Sequence, residues 1–282
     1  MFALGRRQIF FVIAVIIVLM VIVAGFIVSG VSDWSVASQM PRDRGIDVPI
    51  LAYHKVDHLN HSLSLPPEEF SRQLQYLWEN GYRSITPDQL TAYFQYGRPL
   101  PEKPVMITFD DGYLDNYVNA YPILKKYGFT ATIFIITDMI ERDPRFMKWD
   151  QIREMQADHF IFGSHSVTHT PLNQLTLEQL KRELTNSADE MEKQLGQRPR
   201  YFAYPTGDYS ANIGNQVKQA GYRAAFTIRF GQVGLGSNQY ALERIPVFRS
   251  QQSFQQFFSR LHVTPNQEQL NIIRSGKYIA PR

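Results

Sequence analysis

Short apolar runs alternate with amphipathic segments along most of this chain, and few folds accommodate that rhythm. Residues 48–53, 84–86, 104–107, 130–136, 160–162, 201–204, 224–227 and 245–247 read as strands. Helical patterns lie between them. Phe70, Leu74, Leu77 and Trp78 form an apolar face after Pro66-Pro67-Glu68-Glu69, with Gly81 past the end, and Pro87-Asp88 opens a second short helix. Tyr121, Leu124 and Tyr127 mark a third that closes at Gly128, and Trp149-Asp150 starts a fourth. The longest carries Leu177, Leu180, Leu184, Met191 and Leu195 behind a capping box of Thr176 and Gln179; 212–220 and 253–261 complete the set. Strand then helix, repeated, predicts a parallel α/β barrel whose active residues sit at the C-terminal ends of the strands. The 282 residues hold one such domain, since barrels run to about 200–250 residues.

Two polar motifs fall at predicted strand ends about 50 residues apart: Thr108-Phe109-Asp110-Asp111-Gly112 and His165-Ser166-Val167-Thr168-His169. Adjacent carboxylates repel, and the end of a buried strand desolvates them, so they call for a cation, a proton or both. Two histidines four apart fall on one face of a helical turn. With one carboxylate they supply three protein ligands and leave open positions for water or substrate, the pattern of a hydrolytic metal site. One carboxylate with two imidazoles suits a divalent metal, zinc by first choice, with cobalt, nickel or iron also fitting. Ser164 and Ser166 lack a Gly-x-Ser-x-Gly elbow and read as turn or supporting residues.

These two motifs resemble the first two of the polysaccharide deacetylases, the NodB-homology or carbohydrate esterase family 4 domain, over roughly residues 46–260. The resemblance implies a distorted (β/α) barrel that removes acetyl groups from sugars, with Asp110 as general base and Asp111, His165 and His169 on the metal. Residues 50–54, ending in His54, resemble the opening of the poly-N-acetylglucosamine deacetylase branch, where a histidine here is the general acid; His262, after Leu261, is the competing candidate. The family's third motif, Arg-x-Pro-Tyr-Gly, stands here as Ala203-Tyr204-Pro205-Thr206-Gly207. Ala203 thus replaces the arginine that orients the base, and Thr206 takes the place of the tyrosine whose backbone amide binds the oxyanion. Arg244, at the start of a late strand, is a candidate to reach Asp110 from another part of the barrel. Trp149, Tyr204 and Tyr209 are candidates for stacking on sugar rings.

Location rests on residues 9–28, which hold no charge and no proline and are long enough to cross a bilayer as a helix. Arg6 and Arg7 precede them, so the positive-inside rule leaves residues 1–8 in the cytoplasm and exports the rest. The expected order is tail 1–8, anchor 9–28 in the lipid bilayer, linker 29–47, deacetylase domain 48–262 and C-terminal tail 263–282. A net charge of +3 gives no support for a nucleic-acid partner, and the absence of cysteine removes disulfides, thiolate ligands and cysteine nucleophiles. The expected function is metal-dependent hydrolysis of acetyl groups on an N-acetylated polysaccharide outside the cytoplasmic membrane, of peptidoglycan or poly-N-acetylglucosamine type. A non-catalytic glycan-binding module and a non-haem iron oxygenase are the competing classes. The oxygenase has no use for Asp110 and usually places its histidine before the aspartate.

Overall fold

The computed structural model describes residues 46–249, 257 and 259–261. Among these residues eight parallel strands follow one another: β1 (Ile50–Tyr53), β2 (Arg83–Ser84), β3 (Pro104–Phe109), β4 (Thr132–Ile135), β5 (Ile161–Ser164), β6 (Tyr201–Ala203), β7 (Ala224–Phe230) and β8 (Leu242–Pro246). Seven of them close a ring in the order β1-β8-β7-β6-β5-β4-β3, with β3 returning to β1 in register from Ile50↔Met106 to Tyr53↔Phe109. The two-residue β2 stays outside the ring, paired to the start of β3, which is where the barrel departs from eightfold regularity.

The strands read as continuous apolar runs because both faces are covered. Ile50, Met106, Phe134, Tyr201, Ala203, Phe226 and Leu242 point inward and form one core. Their neighbours Leu51, Tyr53, Val105, Ile107, Ile133 and Ile245 point outward beneath the helices. Phe202 and Ala225 do the same beneath Leu177–Leu195 and Ala211–Gln219, which bring Leu184 and Val217. The helix Pro87–Tyr96, capped by a reciprocal Thr86/Gln89 box, turns Leu90 into the inward core and stops the N-terminal end of the barrel.

Helix faces differ from expectation at two positions. Trp78 and Leu177 are 55% and 53% exposed, so neither belongs to the core stripe read from the sequence. Trp78 stands in the last turn of its helix and Leu177 is the first residue of its own, so both lie at helix ends, past the buried residues of the stripe. Of the helix expected over 253–261, residues 257 and 259–261 are described and are helical. The segments 1–8, 9–28 and 263–282, most of the linker, and His262 lie outside the described residues; no helix among those described is long and apolar enough to cross a membrane.

Candidate active site

Side-chain alternation along β3 and β8 builds the floor of the site. Thr108 and Arg244 continue the inward rows of Met106 and Leu242, one layer nearer the C-terminal mouth, and Asp110 follows at the strand end. Arg244 is wholly buried. Its guanidinium forks onto Asp110, Nη1 to Oδ1 at 2.8 Å and Nη2 to Oδ2 at 2.7 Å, while Nη1 also donates to Thr108 Oγ1 at 3.1 Å and Nε to the Thr227 carbonyl at 2.7 Å. Burial pushes the Asp110 carboxyl upward, but the Arg244 charge and hydrogen bonds outweigh that and hold it well below the usual carboxylate range. The arginine missing at Ala203 is therefore matched by one from β8.

Asp111 faces the other way. Its φ of 74° and Gly112's of 87° turn the chain sharply after β3. At Gly112 a Cβ would lie 2.9 Å from Ile135 Cγ2, so the turn needs glycine for space as well as conformation. Asp111 Oδ1 is buried without a hydrogen-bond partner, and the Nε2 atoms of His165 and His169 each stand 3.5 Å from it. The three ligand atoms lie within 4.8 Å of one another. Burial first, and the Asp110 charge as well, raise the Asp111 carboxyl to about 6. An orphaned carboxylate oxygen facing two imidazole nitrogens is a donor set that fits a divalent cation.

The histidines do not meet through a helical turn, as their spacing predicts. Residues 165–169 form a loop after β5 in which Ser166 and His169 have φ of 67° and 63°. Ser166 Oγ accepts from His169 N at 3.0 Å, and Glu183 on the helix Leu177–Leu195 accepts from Val167 N at 2.8 Å and Thr168 N at 3.0 Å. His165 Nδ1 lies 2.8 Å from the Ala203 carbonyl, which makes Nδ1 the protonated nitrogen and leaves Nε2 with its lone pair toward Asp111. Desolvation lowers His165 to about 3, so the imidazole is neutral, the form a metal ligand requires; His169 is lowered for the same reason.

His54 follows β1 and is felt electrostatically by both aspartates. Its backbone is held by a group absent from the sequence reading: Asn116 Nδ2 donates to the His54 carbonyl at 2.8 Å, and Asp115 accepts from Val56 N at 2.7 Å and Lys55 Nζ at 2.8 Å. Tyr113, also unremarked in the sequence, is near enough to Asp111 to favour its charged form and carries Lys55 Nζ 4.1 Å over its ring. Four of the six non-glycine residues with positive φ among those described, Asp111, Ser166, His169 and Thr206, surround this mouth, as expected where geometry is held against backbone preference.

Thr206 lies just beyond β6, exposed, with φ of 58°. Two stacking candidates are corrected. Trp149 is 4% exposed and starts the helix Trp149–Ala157 within the outer core, and Tyr204 is fully buried with its hydroxyl donating to the Tyr240 carbonyl at 2.7 Å. Their rings are spent on packing, so neither offers a face to a sugar. Tyr209 is half-buried, its ring against that of Tyr204 at 5.6 Å.

The model of the polysaccharide deacetylase family matches residues 97–225. A Bacillus subtilis protein named as a polysaccharide deacetylase, YxkH, is 36% identical over 200 residues, covering 71% of this chain and 71% of its own length. This chain belongs to the polysaccharide deacetylase family. A deacetylase named for poly-beta-1,6-N-acetyl-D-glucosamine, from Staphylococcus aureus, is 27% identical over 215 residues, 71% of this chain and 72% of the relative. The deacetylase PplD of Streptococcus pyogenes, solved with acetate, matches with a TM-score of 0.73 at 28% identity, covering 78% of this chain and 100% of the other.

Proposed function

We propose that this deacetylase hydrolyses the acetamide of N-acetylated hexosamines in an extracytoplasmic polysaccharide, of poly-β-1,6-N-acetylglucosamine or peptidoglycan type, with a divalent metal. The reading is carried by the unpartnered Asp111 Oδ1 facing two neutral imidazoles, beside an Asp110 that Arg244 keeps ionised. The substrate class is supported by the relatives named for poly-beta-1,6-N-acetyl-D-glucosamine and for peptidoglycan N-acetylmuramic acid. Export is supported by the uncharged residues 9–28.

Asp111, His165 and His169 would hold the ion, which when bound supplies Lewis acidity to the acetyl carbonyl and acidity to water. Asp110, ionised and fixed by two hydrogen bonds, accepts the proton of the attacking water. Its depressed proton affinity makes it a weak base and a transient carrier. The leaving amine needs a proton, and His54, just past β1 and near enough to both aspartates to lower their proton affinity, is placed to give one. The backbone amide of Thr206 is the candidate donor to the oxyanion, its position set by the positive φ of the turn.

The test is acetate release from N-acetylglucosamine oligomers with and without a chelator, followed by metal restoration. Release that a chelator abolishes and metal restores is expected. Release unaffected by chelation refutes the metal assignment, and binding of the oligomers without any release supports the non-catalytic alternative.

A further inference from the structure

The N-terminal end of the barrel, opposite the carboxylates and histidines, carries a second concavity of about 410 Å³. It lies between the helix Pro87–Tyr96 and the segments that lead into β7 and β8, and Asp88, Gln95, Tyr96, Arg223, Gln239 and Tyr240 line it. Nothing in the reaction above uses these residues. The volume falls in the range of small-molecule sites, roughly 300–1,000 Å³.

The walls are fixed before any ligand arrives. Asp88 accepts from Arg200 Nη2 at 2.5 Å and from the Tyr201 hydroxyl at 2.6 Å, and Tyr240 OH donates to the Tyr222 carbonyl at 3.0 Å. Ala225 N donates to the Gln239 carbonyl at 2.8 Å, and the Gln95 and Gln239 side chains meet at 3.3 Å. That contact uses one donor of Gln95 and the oxygen of Gln239, which leaves the Gln95 oxygen and the Gln239 amide to bond outward. At the rim Tyr96 is 73% exposed, the highest figure among the exposed large apolar residues described. A tyrosine ring left in water beside planar amides, a carboxylate and a guanidinium has a specific complement. Pyranose rings present an apolar C–H face to an aromatic ring and a girdle of hydroxyls to such groups. An anion fits poorly because Asp88 shares the site with Arg223, whose Nη1 lies 3.9 Å from its Oδ1. A purely apolar ligand would strand the amides.

We propose that this pocket is a second carbohydrate site, taking one or two pyranose units of a polysaccharide strand with Tyr96 as the stacking face. It is separated from the catalytic mouth by the length of the barrel, about 20 Å at ~3.3 Å per residue over a six-residue strand such as β3. Its use would be retention: a long polymer, or a neighbouring strand in a meshwork, stays attached while successive units reach the catalytic end. Sugar binding follows from the pocket itself; the choice of N-acetylglucosamine polymer as its occupant rests on the proposed function.

The experiment titrates the full-length chain, in detergent, with a β-1,6-linked N-acetylglucosamine tetramer by calorimetry, using Asp110→Asn as the background that slows turnover. Two binding events are expected. Adding Tyr96→Ala should weaken one of them about tenfold, leaving the other unchanged. Adding His169→Ala should weaken only the other, and Gln95→Ala with Gln239→Ala should repeat the Tyr96 result from a second set of atoms. In the otherwise wild-type enzyme, Tyr96→Ala should raise KM for long polymer several-fold at constant kcat and leave a disaccharide's kcat/KM unchanged. A single binding event insensitive to both pocket variants, or no event beyond the catalytic one at millimolar tetramer, overturns the proposal. Two events without acetate release from wild-type enzyme would leave the pocket standing and sink the deacetylase reading instead.

Discussion

Replacing Arg244 with methionine isolates what the buried fork contributes. Methionine fills much of the same volume without charge, so the Asp110 carboxylate, 1% exposed, loses both guanidinium bonds, and the Thr227 carbonyl and Thr108 hydroxyl each lose a donor. Breaking a buried pair by removing one partner costs about 3–5 kcal/mol. For a domain of this size each kcal/mol moves Tm by roughly 2–4 °C, so the expected loss is on the order of 10 °C. The pH dependence gives the sharper signature. In the wild type Asp110 is held below its unfolded pKa, so its contribution to stability is present above about 3.9 and is lost as pH falls through the folded value. In Arg244→Met the largest influence opposing burial is gone, leaving only His165 and His54, so the same group rises, protonation relieves the unpaired charge and the deficit shrinks on acidification. The assay is thermal unfolding by circular dichroism of chelated wild type, Arg244→Met and Arg244→Met/Asp110→Asn from pH 4 to 8. The double variant should recover about 1–3 kcal/mol at pH 7. Equal midpoints at pH 7, or a deficit that widens toward pH 4, would refute the reasoning.

Asp110→Asn should retain metal and lose about 10²-fold or more in kcat, because an amide cannot accept the water's proton; near-normal turnover at saturating substrate removes the base from Asp110. Metal occupancy at fixed free metal should fall as pH drops below about 6, where Asp111 must surrender a proton to bind, and Asp111→Ala, His165→Ala and His169→Ala should each lower it at pH 7; elemental analysis after dialysis reads both. His54→Ala should spare metal loading while reducing kcat, and His262→Ala should do little. The reverse pattern would move the acid to the C-terminus.

The barrel was legible because inward and outward faces are both apolar, which turns each strand into an unbroken run and leaves the polar motifs to mark the ends. Asp110, Asp111, His165 and His169 were legible as a set because no other arrangement of them is cheap to bury. The path between the histidines was not. Positive φ at Ser166 and His169 has no propensity signal in non-glycine residues, so a spacing of four read as helix. Trp149 and Tyr204 follow the ambiguity of aromatics, which suit a core and a binding face equally well in sequence. Tyr113, Asp115 and Glu183 act through contacts with Asp111, the His54 segment and the histidine loop; a lone acidic or tyrosine residue carries no mark of such a partner. Arg244 was visible as a possibility, but its choice of Asp110 depends on the ring placing β8 beside β1 and β1 beside β3.

That ring order also sets a condition on when the enzyme becomes competent. Arg244 stands 134 residues beyond Asp110 and belongs to the strand that closes the ring against β1. A chain emerging from synthesis holds its carboxylates and both histidines well before it holds their counter-charge. Until β8 docks, Asp110 has no guanidinium and the lumen beneath the site remains open to water. Competence therefore arrives with closure, and a fragment ending at Gly236 should lack acetate release even where its earlier strands have formed.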